Sequence, residues 1–253
     1  MQATYSRIAL VTGASSGIGE AIARQLGAQG IGLVITARSA DKLNALAQAL
    51  GPGCVAVPGD ITDPALQQRL FAVAQETFGR SPDILIANAG RGLGGSIREA
   101  DLAQAEAVFK LNVTATLALL QQAANQMVPH QEAHFPRQGA DIVIIGSVVG
   151  RHISPFSAVY GATKFAVHSL AEGLRREVGP KGVRVTLVEP GIVVSGFQEA
   201  AGYADTMLQN FDARFGPLLV GEDIARAVGF VVSQPAHVHV SDIMIRPTRQ
   251  DYP

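Results

Sequence analysis

The chain has 253 residues, of which 47% are hydrophobic and 16% charged, with a formal net charge of -1. That composition builds one large core, and no linker, charge block or composition shift marks a domain boundary. Near-neutral charge without a clustered basic face excludes nucleic acid and anionic lipid as partners. The single cysteine, Cys54, excludes an intrachain disulfide. No apolar run approaches the roughly 20 residues needed to cross a bilayer. Ile8–Val11 is too short for a signal-peptide core, so a cytoplasmic protein is expected.

In chain order, apolar runs of strand length fall at Ile8–Val11, Ile31–Ile35, Cys54–Val57, Ile84–Ala87, Ile142–Ile145, Val183–Val188 and Val238–Ile245. Several are continuous and not alternating, as strands buried on both faces of a parallel sheet are. Helical patterns lie between them: Ile18–Gln29, Asp41–Leu50, Pro64–Phe78, Leu102–Val128, Ser157–Val178 and Asp223–Val232. Asp63 is placed to cap the third, with Pro64 at its first position. Pro129–Gly139, with His130 and His134, reads as a polar surface loop. Strand-helix alternation predicts an α/β fold, a Rossmann-type doubly wound parallel sheet in a single domain over residues 1–253. Ligand then binds beyond the carboxyl ends of the strands, where the strand order reverses.

The first strand runs into Thr12-Gly13-Ala14-Ser15-Ser16-Gly17-Ile18-Gly19, and a helix follows. Gly13 permits a tight turn. Gly17 and Gly19 let backbone approach a pyrophosphate facing the free N–H groups of the helix start. Glu20 stands where an ATP-binding loop needs lysine, and its carboxylate repels a triphosphate. At the end of the second strand, Ala37 is neutral where an NAD site usually has Asp or Glu, and Arg38 follows. A guanidinium pairs with a 2′-phosphate, so the expected cofactor is NADP(H).

Ser147 follows the fifth apolar run. Thirteen residues later comes Tyr160, and Lys164 lies four beyond it, on the same helix face. A free phenol titrates near about 10, and a nearby ammonium lowers that value, so Lys164 is the physical reason for Tyr160 to exchange protons. Ser147 stands ready to hold a substrate oxygen. Asn112 is a polar residue in an apolar helical stretch, placed to bend the helix or hold a water behind the lysine. Separately each residue has a plain structural use; their order after a nucleotide turn gives the set its weight.

With these motifs the chain resembles the short-chain dehydrogenase/reductase family over essentially its full length. Residues 12–19 match the family's glycine motif. Asp60, followed by Ile61, matches its adenine-side Asp. Ala87-Asn88-Ala89-Gly90 matches Asn-Asn-Ala-Gly, with Ala87 departing from it. Asn112, Ser147, Tyr160 and Lys164 match its catalytic set, and Pro190, Gly191 and Ser195 its later turn, with Val193 placed to meet the nicotinamide carboxamide. The resemblance implies Tyr160 as general acid/base, Ser147 orienting the carbonyl, Lys164 binding the nicotinamide ribose and Asn112 supporting a water relay. Ser195 replaces the usual Thr. Ser15 and Ser16 stand where many NADP-preferring members carry a basic residue. Ser15, Ser16, Ile18, Ala89 and Gly90 complete the expected cofactor contacts, and no metal site is expected.

Ile192–Val220 matches the family's substrate lid and holds Phe197, Tyr203, Met207, Leu208, Phe211 and Phe215, as pocket lining or as a helix packed on the sheet. Glu222-Asp223-Ile224-Ala225, Pro235-Ala236-His237-Val238, Arg246-Pro247-Thr248 and Gln250 resemble NADP-dependent 3-hydroxy acid (serine or allo-threonine) dehydrogenases. Such a substrate calls for a cation, with Arg91, Arg151 and His152 as candidates. The alternatives are a general carbonyl or 3-oxoacyl reductase and a non-catalytic NADPH-sensing protein. The family pairs the helices around Asn112 and Tyr160, so a dimer or tetramer is expected.

Overall fold

In a computed structural model, the structure describes residues 5–154, 156–196 and 205–251, and within 205–208 the backbone only. Seven parallel strands form one sheet: β1 (Ile8–Thr12), β2 (Gly32–Thr36), β3 (Cys54–Ala56), β4 (Ile84–Ala87), β5 (Ala140–Ile145), β6 (Val183–Pro190) and β7 (Asp242–Ile245), in the order β3-β2-β1-β4-β5-β6-β7. Growth runs one way from β1 to β3, then resumes on β1's other side with β4, so the reversal lies between β1 and β4. This is the doubly wound arrangement expected from the alternation of apolar runs and helical patterns.

The continuous apolar runs are explained by burial on both faces. Ile8 and Leu10 face α3 (Pro64–Phe78), α5 (Thr116–His134) and α6 (Ala158–Val178), while Ala9 and Val11 face α1 (Gly17–Ala28), α2 (Ala40–Leu50) and the helix Gly221–Val232. Asp63 caps α3 as expected, accepting from Ala65 N at 2.9 Å with Pro64 at the first helical position. Cys54 is buried at the start of β3, and burial pushes its thiol up to about 12, so it behaves as a small apolar residue.

Three expectations are corrected. The single helix over Leu102–Val128 is instead α4 (Leu102–Phe109), a π-helical turn (Lys110–Ala115) and α5. The expected loop Pro129–Gly139 is helical to His134. Pro129 is accommodated within α5, and Gln131 is buried and donates to the Gln138 carbonyl. The last strand covers only Asp242–Ile245. Upstream, the Val238 and Val240 carbonyls accept from the side chains of Arg184 and Thr186, so they are consumed before any ladder forms. A helix over Asp205–Phe215, here α7, precedes the helix Gly221–Val232, here α8.

The amino ends of the strands hold a network of buried charge. Asp141 in β5 accepts two bonds from Arg184 in β6, both at 2.8 Å, and one from Arg7 at 2.7 Å. Arg7 also binds Asp83 at 3.0 Å, and Arg184 donates to carbonyls beyond the end of α8. Burial pushes the Asp83 carboxyl up despite Arg7 and Arg80 beside it. Removing one partner of such a cluster strands the others in a poorly solvated place. Asp141→Ala is expected to lower unfolding free energy by about 3–5 kcal/mol in urea denaturation. A loss under about 1 kcal/mol would show that water replaces the carboxylate at no cost.

Candidate active site

The carboxyl ends of the strands open into one cavity of about 630 Å³. At its base, the Thr12 hydroxyl donates to Ile86 O and accepts the N–H groups of Asn88 and Ala89, each at 3.0 Å. Asn88 Nδ2 returns a bond to Thr12 O at 2.9 Å. These contacts tie the turn after β1 to the turn after β4. Gly13 (φ 67°) and Gly17 (φ 56°) occupy the left-handed region, where other L-residues are strained. A Cβ on Gly13 would lie 2.8 Å from Asn88 Nδ2, and one on Gly19 would collide with the Gly13 carbonyl. The turn is therefore a bare-backbone cradle in front of the start of α1, as an anionic pyrophosphate requires.

Around this cradle the cavity is lined by Gly13, Ser15, Ser16, Gly17, Ile18, Gly19, Arg38, Asp60, Ile61, Asn88, Ala89 and Gly90. Its other end is lined by Ser147, Tyr160, Lys164, Pro190, Gly191, Val193 and Ser195. The structure thus brings together every sequence-predicted site residue except one. Ser195 closes over the glycine turn, within 3.1 Å of where a Gly17 Cβ would stand.

The exception is Asn112, which is buried behind the wall in the π-helical turn. Its Oδ1 accepts Arg91 N at 2.9 Å; its Nδ2 donates to Arg91 O at 2.9 Å and Thr163 Oγ1 at 3.1 Å. The π-turn interrupts the regular helix at this polar residue, and Asn112 fixes the strand-end loop at Arg91 against α6.

Lys164 is buried and donates to Ile145 O at 2.8 Å; its Nζ lies 5.7 Å from the centre of the Tyr160 ring. Burial lowers its ammonium from the ordinary lysine value to about 8. Ser147 is extended (φ -173°, ψ 154°), and its Oγ accepts Val149 N at 3.4 Å, which leaves the hydroxyl hydrogen to be given away. At the far end, Asp60 is held below the usual carboxylate range, first by the Thr62 N–H and then by the charges of Arg38 and Lys110.

Of the three cations expected for a substrate carboxylate, only Arg91 lines the cavity. Arg151 is committed elsewhere, bound to Glu189 at 2.5 and 2.7 Å and to Asp242 at 3.1 Å, and His152 is not on the wall. Phe211 and Phe215 do line it; Phe197 and Tyr203 lie outside the described residues, as do the side chains of Met207 and Leu208. Sequence reasoning missed Lys110 and Phe156 as lining, and it used Gln250 only as a family marker. Gln250 Oε1 accepts Ile192 N at 3.0 Å, returning the chain end to the Pro190-Gly191 turn. Only tertiary proximity places these three. Among the described residues no group of three His, Cys, Asp or Glu side chains is arranged to hold a metal, and no helix is long and apolar enough to cross a membrane.

Comparison with known proteins agrees with this geometry. The family model described as short chain dehydrogenase matches residues 7–205. An uncharacterised oxidoreductase of Staphylococcus aureus strain N315 is 35% identical over 248 residues, covering 98% of this chain and all of that protein. One of Staphylococcus epidermidis is 32% identical over 247 residues, with the same coverage. Among solved structures, the closed form of a serine dehydrogenase complexed with NADP+ superposes with a TM-score of 0.85 at 30% identity, covering 97% of this chain and 96% of that one. A 3-ketoacyl-(acyl-carrier-protein) reductase from Brucella melitensis complexed with NADH, at 24% identity, shares the fold with a TM-score of 0.87, covering 97% and 98% of the two chains. The chain belongs to the short-chain dehydrogenase/reductase family of oxidoreductases.

Proposed function

We propose that this protein is a cytoplasmic NADP(H)-dependent enzyme interconverting a carbonyl and an alcohol, with a small 3-hydroxy acid as its substrate class. The observation that carries the reading is the meeting of Ser147, Tyr160 and Lys164 with the glycine cradle on one cavity wall. The residues present fit a dinucleotide. The cradle is stripped of side chains where a pyrophosphate needs backbone, and Arg38 lies exposed at the end of β2 for a 2′-phosphate. The NADP+-bound serine dehydrogenase supports the cofactor preference and the substrate class.

A dinucleotide held by the glycine turn, Arg38 and Lys164 would supply hydride-transfer chemistry to a carbonyl or alcohol carbon. In reduction Tyr160 gives its hydroxyl proton to the carbonyl oxygen, becoming phenolate, and in oxidation it takes that proton back. The Lys164 ammonium lowers the cost of the phenolate, and the Ser147 hydroxyl donates to the same substrate oxygen and orients it. Asn112 touches none of these atoms. It is a positioning residue, holding Arg91 and Thr163. Arg91, on the cavity wall with its guanidinium donating to Gln104 Oε1 at 2.6 Å, is the group that would meet a substrate carboxylate. A general carbonyl reductase is the second reading, favoured by the apolar Phe156, Phe211 and Phe215 on the wall. An NADPH sensor on the same fold would bind without turnover.

Leu102, Leu117 and Phe165 are large apolar side chains left exposed on α4, α5 and α6. We take this surface as covered by a second copy in a dimer or tetramer. Light scattering is expected to give a dimeric or tetrameric mass, reduced by Leu117→Glu; a monomeric native mass contradicts the assembly.

Tyr160→Phe is expected to lower kcat for NADPH oxidation, followed by absorbance over ketones, β-keto acids and aldehydes, by about 10²-fold or more. Undiminished turnover in that variant removes Tyr160 from the chemistry. Arg38→Asp is expected to raise KM for NADPH about tenfold or more, roughly 1.4 kcal/mol, while sparing NADH. Equal efficiency of the native protein with both cofactors overturns the preference.

Lys164 couples activity to stability in opposite senses. Its folded value of about 8 lies below the free-lysine value, so folding must shed or bury a charge. That cost is present below pH 8 and fades as pH rises towards the unfolded value, near about 10.4. Lys164→Met is therefore expected to be inactive yet to melt higher than the native protein at pH 7, with the gap closing by about pH 10. Native carbonyl reduction is expected to fall as pH rises through about 8, as the ammonium is lost. A lower melting temperature for the variant at pH 7 shows that the bond to Ile145 O outweighs burial of the charge.

A further inference from the structure

Beyond the cavity wall, a second set of titratable groups meets the back of Ser147. His168 lies on α6 one turn after Lys164, and its ring sits between Gly146 and Gly150, which flank the Ser147 turn. A Cβ on Gly146 would stand 2.5 Å from His168 Nε2, and one on Gly150 would collide with the same ring. Both glycines thus make room for the imidazole.

The Ser147 N–H donates to His168 Nε2 at 3.3 Å. Nε2 is therefore an acceptor, and the ring carries its proton on Nδ1. Nδ1 faces Glu189 Oε2 at 3.7 Å, a carboxylate fully buried at the end of β6. Glu189 is fixed in turn by the two-pronged contact with Arg151, which reaches Asp242 in β7. The groups facing His168 are Glu189, Arg151, Asp242 and its own helix neighbour Lys164. Burial first, then Lys164 and Arg151, hold the ring down to about 4 against the two carboxylates. It stays neutral at ordinary pH, which keeps Nε2 an acceptor. None of His168, Glu189 and Arg151 lines the cavity, and the hydrogen bond that ties His168 to a cavity residue is the one to Ser147.

We propose that His168 is a positioning residue for Ser147: neutral and with its Nδ1 turned toward Glu189, it anchors the Ser147 backbone N–H through Nε2 and so aims the hydroxyl at the substrate oxygen. The inference rests on the reading of Ser147 as the group that orients that oxygen. A catalytic side chain is only as well placed as the groups that hold its backbone.

The test is a double-mutant cycle. His168→Leu removes the acceptor. His168→Gln keeps one, because its amide oxygen reaches the Nε2 position while its NH₂ faces Glu189. Gly150→Ala displaces the ring without changing it. Each is made in the native and Ser147→Ala backgrounds, with kcat and KM for one carbonyl and the Kd of NADPH by fluorescence. His168→Leu and Gly150→Ala are expected to lower kcat about tenfold with the NADPH Kd unchanged, and His168→Gln to restore most of it. In the Ser147→Ala background both losses are expected to shrink below about twofold. Equal losses in the two backgrounds, or a Gln variant no better than Leu, overturn the proposal. Native-level activity in Ser147→Ala alone overturns the reading beneath it and is seen independently of His168.

Discussion

The Thr12 hydroxyl is the point on which the site depends. Where β1 ends, the sheet reverses its order of growth, and the two neighbouring turns must part to leave a crevice without losing their hydrogen bonds. One hydroxyl serves three backbone groups across that reversal, and the Asn88 amide closes the return path to the Thr12 and Gly13 carbonyls. With the turns so tied, the glycine backbone has no slack: side chains at Gly13 and Gly19 would strike the opposing turn. The crevice is thus rigid and bare before any ligand arrives, so little ordering remains to be done on binding.

Charge is divided along the strands. At their amino ends, arginines and aspartates cancel one another in a buried network that ties β1, β4, β5 and β6 together. At their carboxyl ends Lys164 is buried beside the Tyr160 ring, donating to the Ile145 carbonyl, and burial lowers its pKa. The first arrangement serves stability. The second costs stability and places a cation next to Tyr160, as groups of shifted pKa in a cleft commonly do. The Arg151–Glu189 pair stands between the two: an ion pair near the site with its carboxylate buried and its guanidinium half-exposed, whose cation was a candidate to meet substrate and instead braces the turn behind Ser147.

Much of this was legible in the sequence because it depends on local pattern. Strand burial on both faces shows as unbroken apolar runs, and the Asp63-Pro64 helix start follows from one turn of chain. Tyr160 and Lys164 are related by one turn of helix, so their shared face needs no tertiary knowledge. What was not legible depends on contacts between distant segments. Val238 and Val240 carry strand-like side chains, yet β6 side chains claim their carbonyls. Arg151 looked available because Glu189, 38 residues away, cannot be seen beside it in the sequence. Pro129 argued for a loop, and α5 carries it without ending. Asn112 signalled an irregularity in its helix, but its partners at Arg91 and Thr163 emerge only once α6 is packed in place.

The central claim is that this cavity transfers hydride and does not merely hold a dinucleotide. The most direct measurement supplies NADPH deuterated at the transferable position with a panel of β-keto acids and ketones, and weighs the products. The account predicts one deuterium on the carbinol carbon for each cofactor oxidised, and about 10²-fold less deuterated product in the same time with Tyr160→Phe. NADPH bound tightly and recovered unoxidised with every member of the panel would contradict it and identify a binding protein on an enzyme's fold.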